Sequence, residues 1–150
     1  MQKAKERKNM KKVAVVYWSG TGNTQKMAEY IAEGVKKAGE QAYIFTSDKF
    51  EAAMMDAYDA VAFGCPAMGT ENLEEGEFAP MFGKCQSRLR GKKIALFGSY
   101  GWGSGEWMRR WEKECADSGA VLMGEGVKCC GSPDEIVRAE CLAQGEFLVR

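Results

Sequence analysis

Histidine is absent from this sequence of 150 residues, and none of its six cysteines belongs to a C-x-x-C pair. A zinc site would therefore need a ligand set without imidazole, and we expect no metal. The cysteines lie mostly in apolar segments, where cysteine behaves as a small hydrophobic residue, and the neighbours Cys129 and Cys130 could form a disulfide only with strain. This usage is typical of a protein in the reducing cytoplasm.

Long apolar runs are missing as well. No stretch reaches the length of a membrane span, and the first residues lack the apolar core of a secretory signal. The sequence therefore predicts a cytoplasmic protein that is neither inserted into a membrane nor secreted.

The net charge of the whole sequence is zero, but the charges are unevenly distributed along it. The 21 basic and 21 acidic residues cancel, but six basic residues and one acidic residue lie within residues 1–12, which leaves a net charge of −5 on the remainder. We expect residues 1–11 to be a basic leader, disordered or artificial, and residues 12–150 to form one domain. An acidic domain suits docking on basic proteins and does not suit binding to nucleic acid.

Short apolar runs alternate with segments of helical periodicity along that domain. The apolar runs predict five strands, at residues 12–18, 41–45, 59–64, 92–98 and 120–129. A last helix is predicted with Ser132 as its N-cap and Pro133 in its first turn. Strands that alternate with helices predict an α/β fold, a doubly wound five-stranded parallel sheet with helices on both faces. Ligands of such sheets bind at the carboxyl ends of the strands, so the loops at 18–24, 65–76 and 99–105 are the candidate site.

The loop after the first predicted strand reads SGTGNT (residues 19–24) and contains three hydroxyls, an amide and two glycines. It precedes a helix, whose free N–H groups and positive dipole end bind anions. The pattern favours a terminal phosphate held by neutral donors. A Walker loop would require Lys where this loop has Asn23, and a dinucleotide loop would require a third glycine where the chain has Gln25, so ATP, GTP and NAD are disfavoured.

Three segments, SGTGNT, PAMGTENLEE and GSYGWGSGEW, together resemble the flavodoxin family, and the similarity extends over nearly the whole chain from Met10. The resemblance implies the strand order 2-1-3-4-5, bound FMN and single-electron transfer. The chain has no long insertion in its fifth strand, which implies the short-chain branch of the family.

The resemblance also implies which residues contact FMN. They are Ser19, Gly20, Thr21, Gly22, Asn23, Thr24, Pro66, Ala67, Met68, Gly69, Thr70, Glu71, Ser99, Tyr100, Gly101, Trp102 and Gly103. The first loop would bind the phosphate, Trp102 and Met68 would lie on opposite faces of the ring, and Glu71 would accept a hydrogen bond from the ring N3–H.

In the family, the peptide that corresponds to Gly69–Thr70 turns its carbonyl towards N5 of the singly reduced ring. If that turn requires a positive φ at position 70, the β-branched Thr70 disfavours it, and Thr70→Gly would then stabilise the singly reduced form. The nearby acidic residues are read as a docking rim, with a merely solvated surface as the alternative; they are Glu71, Glu74, Glu75 and Glu77.

The sequence thus predicts a low-potential one-electron carrier, a monomer that docks on redox proteins and has no catalytic residues. An acidic surround opposes negative charge on a fully reduced ring and so lowers its potential. The alternative is an FMN-dependent NAD(P)H:quinone reductase, although such enzymes add segments that this chain lacks. A receiver domain is disfavoured because Tyr17, Trp18 and Cys65 stand where it would need acidic residues.

Overall fold

The computed structural model of this chain describes residues 10–150, so residues 1–9 of the predicted leader lie outside the described residues. Lys11, the last residue of that leader, already contacts the domain. Its backbone N–H donates to Glu40 Oε1 at 2.8 Å, and its Nζ donates to the Val149 carbonyl at 2.7 Å. The chain is therefore tied to the domain one residue before the first strand.

Strands and helices alternate along the described chain. The strands are β1 (Lys12–Tyr17), β2 (Gln41–Thr46), β3 (Ala60–Gly64), β4 (Lys93–Tyr100), β5 (Val121–Leu122) and β6 (Val127–Cys130). The α-helices are α1 (Asn23–Lys37), α2 (Phe78–Cys85), α3 (Glu106–Asp117) and α4 (Glu135–Leu148). Short 3₁₀ segments lie at Ser47–Lys49, Ala52–Ala57 and Gln86–Arg88. No helix among residues 10–150 is both long enough and apolar enough to cross a membrane.

The strands form one parallel sheet in the order β2-β1-β3-β4-β5, which confirms the predicted order 2-1-3-4-5. In the register of the sheet, Tyr17 lies opposite Gly64, and Gly64 lies opposite Phe97. The carboxyl ends of β1, β3 and β4 therefore meet at one edge of the sheet. The winding reverses beside β1, which makes this edge the place where such folds bind ligands.

The fifth strand is not the single run that the sequence predicts. The predicted segment 120–129 is divided into β5 and β6, which both pair with β4. Gly124 lies in the interruption with φ of +86°. The side chain of Gln144 on α4 spans the gap, donating from Nε2 to the Leu96 carbonyl at 3.0 Å and to the Glu125 carbonyl at 3.3 Å. An amide from a helix thus bonds the β4 carbonyl that a continuous strand would have bonded.

Pairing with β6 also extends β4 beyond its predicted end. Ser99 lies opposite Cys129, and Tyr100 lies opposite Cys130, so both site residues belong to the strand and not to the loop after it.

Helix α4 begins two residues later than predicted. Asp134, and not Ser132, is its N-cap, and Asp134 Oδ1 accepts a hydrogen bond from the Val137 N–H at 2.9 Å. Pro133 consequently precedes the cap. Serine and aspartate are about equally good N-cap residues, so local preference could not separate the two positions.

Apolar side chains fill both faces of the sheet. On one face, Phe63, Phe78 and Trp111 are packed between the sheet and helices α2 and α3. On the other, α1 and α4 cross so closely that a Cβ on Gly34 or Gly145 would lie 2.2 Å from backbone of the opposite helix. Each large side chain buried in this way stabilises the fold by about 1.5–3 kcal/mol.

Five of the six cysteines are buried in these layers, and all six are free thiols. Burial raises the pKa of Cys65, Cys115 and Cys141 to about 12. These thiols are therefore neutral core groups at physiological pH, as the apolar context of the cysteines predicts.

Candidate functional site

A cleft of about 250 Å³ lies at the carboxyl ends of β1, β3 and β4. All three predicted loops contribute to its wall. The lining consists of Trp18, Gly20, Thr21, Asn23, Thr24, Pro66, Ala67, Met68, Ser99, Tyr100, Gly101 and Gly131. None of these side chains is charged. The described residues thus form a site of neutral donors beside apolar and aromatic surface.

At one end of the cleft, α1 begins without a side-chain cap. Its N-cap is Gly22, at φ of +97°, and no acidic residue lies in the first turn. The Ser19 hydroxyl accepts a hydrogen bond from the Gly22 N–H at 3.0 Å and thereby closes the loop before the helix. The first N–H groups of the helix, with Thr21 and Asn23 beside them, form a donor set suited to a phosphate group.

Thr24 connects this helix start to β4. It is fully buried, and its Oγ1 lies 2.9 Å from Ser99 Oγ and accepts the Ser99 N–H at 3.3 Å. A hydroxyl can accept two hydrogen bonds and donate one. When both Ser99 donors point to Thr24, the Thr24 O–H remains available to an oxygen in the cleft.

Two large apolar side chains are exposed next to the cleft. Trp102 is 68% exposed and Met68 is 38% exposed. Trp102 lies outside any strand or helix, ahead of Gly103 at φ of +97°, and is not part of the lining. Trp107 and Trp111, by contrast, belong to the core, as predicted. Exposed aromatic and thioether surface at the rim fits a flat ring that would cover it.

The loop after β3 forms a tight turn at residues 69–71. Met68 and Asn72 close it with two backbone hydrogen bonds of 2.7 and 2.8 Å. The positive φ angles in this turn are those of Gly69, at +54°, and Glu71, at +58°. Thr70 has no positive φ here. The Thr70→Gly prediction concerns the turn after its peptide has flipped, and it stays a prediction.

Glu71 faces α3, and it does not line the cleft. Its Oε1 accepts the Glu106 N–H at 2.7 Å, and its backbone carbonyl accepts a hydrogen bond from the Arg110 guanidinium. Gly69, Thr70, Gly22, Ser19 and Gly103 also lie outside the lining, although they shape the loops around it. The assignment of Glu71 to the ring N3–H stays a prediction.

The Glu74 carboxylate forms hydrogen bonds within the protein, so it is less available to a docking partner than the other residues of the acidic rim. Its carboxylate accepts the backbone N–H groups of Gly76, Glu77 and Phe78, each at 2.8 Å, at the start of α2. Burial acts to raise the pKa of Glu74, but these three hydrogen bonds outweigh it and hold the pKa below its usual value. The exposed members of the rim are Glu75 and Glu77.

Trp18 and Gly131 line the cleft but are missing from the predicted set. Trp18 follows β1 directly and lies in the predicted loop at 18–24, but it is not among the residues predicted to contact FMN. Gly131 follows β6. The rule that ligands lie at the carboxyl ends of strands would have identified Gly131 had it been applied to the fifth strand.

A larger cleft, of about 510 Å³, lies beside residues 123–128 and the end of α4. None of the predicted site residues contributes to it. The smaller cleft is the candidate site because it combines the uncapped helix start, the neutral donors and the edge of the sheet where the winding reverses.

Comparison with known proteins agrees with this geometry. A sequence model of the flavodoxin family matches residues 15–145. The flavodoxin of Megasphaera elsdenii is 47% identical over 118 residues, which cover 77% of this chain and 84% of that protein. The chain belongs to the flavodoxin family. The flavodoxin of Clostridium beijerinckii is 41% identical over 132 residues, covering 88% and 95% of the two chains.

The fold agrees as well. The solution structure of two-electron reduced Megasphaera elsdenii flavodoxin matches with a TM-score of 0.85 and 42% identity, covering 91% of this chain and 98% of that one. The chain is a short-chain flavodoxin, an FMN-binding flavoprotein of electron transport. The predicted family, fold and cofactor are confirmed.

Proposed function

We propose that this flavodoxin carries single electrons at low potential, with FMN bound in the cleft at the carboxyl ends of β1, β3 and β4. The observation that carries this proposal is the lining of the cleft, which has neutral donors at the uncapped start of α1 and no charged side chain. A dianionic phosphate ester needs such donors, and the ring of the same ligand needs the exposed apolar surface beside them.

The chain supplies binding and electrostatics, and FMN supplies the one-electron chemistry. Thr21, Asn23 and Thr24 would hold the phosphate together with the N–H groups of α1. Trp102 and Met68 would cover the two faces of the ring and exclude water from it. The turn at residues 69–71 would lie along the ring edge.

The low potential is inferred from charge. Residues 13–150 carry a net charge of −5, and the lining of the cleft contains no lysine or arginine to offset negative charge on the ring. Coulomb repulsion in a partly buried site therefore disfavours addition of the second electron to the ring and lowers the potential of that step. The exposed Glu75 and Glu77 lie on the loop between β3 and α2, where they suit docking on basic surfaces of redox proteins.

The same reasoning proposes a cytoplasmic monomer, formed by residues 12–150, that acts by docking and not by catalysis. The family acts with redox partners, and the neutral, buried thiols fit a reducing compartment.

An anaerobic redox titration tests this proposal. The protein is reconstituted with FMN and titrated with dithionite while its visible spectrum is recorded. We expect one FMN per chain and two separate one-electron steps, the second at low potential. A protein that is colourless after incubation with excess FMN and removal of the unbound FMN would contradict the proposed binding site. Rapid turnover with NADPH and a quinone, without a reductase, would identify a quinone reductase instead of a carrier.

A further inference from the structure

Glu71 is held in a backbone conformation that non-glycine residues seldom adopt. Its φ of +58° is the only positive φ of a non-glycine residue among residues 10–150. Such a conformation is strained and persists only when surrounding contacts enforce it. The residues that contact Glu71 therefore determine the shape of the turn at residues 69–71.

Two of those contacts come from α3, and they are one helical turn apart. The Glu106 N–H donates to Glu71 Oε1 at 2.7 Å, and the Arg110 guanidinium donates to the Glu71 carbonyl. Helix α3 starts after Gly105, which has no side chain to cap it, so the carboxylate of Glu71 bonds a free N–H of the helix start. Helix α3 thus holds both the side chain and the backbone of Glu71.

Arg110 has no competing ionic partner among the described residues. Its neighbour Arg109 forms an ion pair with Glu106 at 2.6 Å, and Lys113 forms one with Asp117 at 2.9 Å. No carboxylate among residues 10–150 lies within ion-pair distance of Arg110, whose hydrogen bond goes to the Glu71 carbonyl. Its guanidinium is therefore committed to the turn.

The other end of the turn faces open space. A Cβ placed on Gly69 would have nothing within 4 Å, whereas one placed on Gly103 would lie 2.9 Å from Glu71 Cδ. Glu71 is therefore also in close contact with the loop that carries Trp102. The Glu71 end of the turn is therefore packed against α3 and the Trp102 loop, whereas the Gly69 end has open space beside it.

We propose that Arg110 is a positioning residue that fixes the Glu71 end of the turn on α3. Movement of the turn is thereby confined to Gly69 and Thr70, and the turn stays aligned with the Trp102 loop. This inference rests on the proposed placement of FMN, because the turn matters to the flavin only if the ring lies along it. The hydrogen bond itself can be tested without the flavin.

Three variants distinguish the effect of losing the Arg110 hydrogen bond from the effects of losing a positive charge and of losing side-chain packing. Arg110→Met keeps an apolar stem and removes the donor, Arg110→Lys keeps a donor and the charge, and Lys113→Met removes the same charge from the same helix. In the apoprotein, hydrogen exchange of the Glu106 amide is measured by NMR. The Glu106 N–H bonds the Glu71 carboxylate, which Arg110 no longer anchors in Arg110→Met. We therefore expect exchange about three to ten times faster in Arg110→Met, the range of one charge-assisted hydrogen bond, and near-normal exchange in the other two variants.

The same variants are then titrated with FMN. We expect the dissociation constant of Arg110→Met to rise about three- to tenfold, because a turn that is no longer preorganised must be ordered on binding. We also expect the separation between its two one-electron potentials to become smaller. Arg110→Lys should restore both properties, and Lys113→Met should leave both unchanged.

The proposal is overturned if Arg110→Met and Lys113→Met give the same Glu106 exchange and the same FMN affinity, or if Arg110→Lys behaves like Arg110→Met. Failure of the proposed FMN site gives a different result. The parent protein would then bind no FMN in this cleft, while the exchange of Glu106 would still respond to Arg110.

Discussion

Helices α1 and α4 begin in opposite ways. Helix α4 is capped by the carboxylate of Asp134 and has Glu135 in its first turn. Helix α1 begins after Gly22, with no side-chain cap and no acidic residue in its first turn. Both helices have the same free N–H groups and the same positive dipole end. The side chains of Asp134 and Glu135 provide negative charge at the start of α4, whereas no acidic side chain does so in the first turn of α1.

Helix α3 shows a third arrangement, since its start at Gly105 is served by the carboxylate of Glu71 from another loop. Acidic side chains therefore bond the starts of α3 and α4. The start of α1, which faces the cleft, has none. A carboxylate there would repel the dianionic phosphate of FMN. The difference between the helix starts is thus an electrostatic feature that favours the proposed FMN site.

The largest expected effect comes from giving α1 the acidic start that α4 has. In Asn23→Asp, FMN affinity should fall about 100-fold or more, because two unit charges about 4 Å apart repel by about 4 kcal/mol at an effective dielectric constant of 20. The apoprotein should become about 0.5 kcal/mol more stable, because negative charge favours a helix N-terminus. Fluorescence titration of FMN measures the affinity, and urea unfolding measures the stability.

Asn23→Ser is the matched control, since it keeps a neutral donor at the same position. We expect its FMN affinity to remain within about tenfold of the parent, the range of one neutral hydrogen bond. Equal affinities of the Asp and Ser variants would show that the phosphate does not bind at the start of α1.

A smaller effect is expected from the segment before α3, where Glu71 from another loop bonds the helix start and Trp102 is exposed. Trp102→Ala should weaken FMN binding about 10- to 100-fold, because the ring loses an aromatic partner and the burial of an indole face. The stability of the apoprotein should change by no more than about 0.5 kcal/mol, as for an exposed side chain. Trp102→Phe should retain most of the affinity, and a large loss of apoprotein stability in Trp102→Ala would assign the indole to the fold.

The contrast also shows what local sequence could and could not predict. The apolar runs predicted β1 to β4, and the density of neutral donors after β1 indicated the loop that lines the candidate cleft. The division of the fifth strand depends on Gln144, which lies far along the chain and bonds Leu96 across the gap. The contact of Glu71 with Glu106 joins two separate loops in the same way. Contacts between distant segments leave no periodicity in the sequence, so these features could not be read from it.

Removing the side-chain cap of α4 is the opposite test, because it should change the stability of the protein and leave FMN affinity unchanged. Asp134→Ala should lower the free energy of unfolding by about 1 kcal/mol, the usual loss for an N-cap side chain. FMN affinity should not change, because Asp134 is not among the residues that line the cleft. Urea unfolding and FMN titration measure the two quantities. Asp134→Ser should recover most of the stability, and an FMN affinity that falls with the cap would remove the distinction between the two helix starts.

The smallest effect is expected at the start of α2, where Glu74 accepts three backbone hydrogen bonds. Its pKa is lower in the folded chain than in the unfolded one, so it contributes stability that is fully present above its unfolded pKa of about 4.3. That contribution is lost as the pH falls through the folded pKa. In Glu74→Gln, which keeps the shape and one acceptor oxygen, unfolding free energy should depend less steeply on pH below about 5. Urea unfolding at several pH values tests this, with Glu75→Gln as the exposed control. Equal slopes in the two variants would mean that the three hydrogen bonds do not lower the pKa of Glu74.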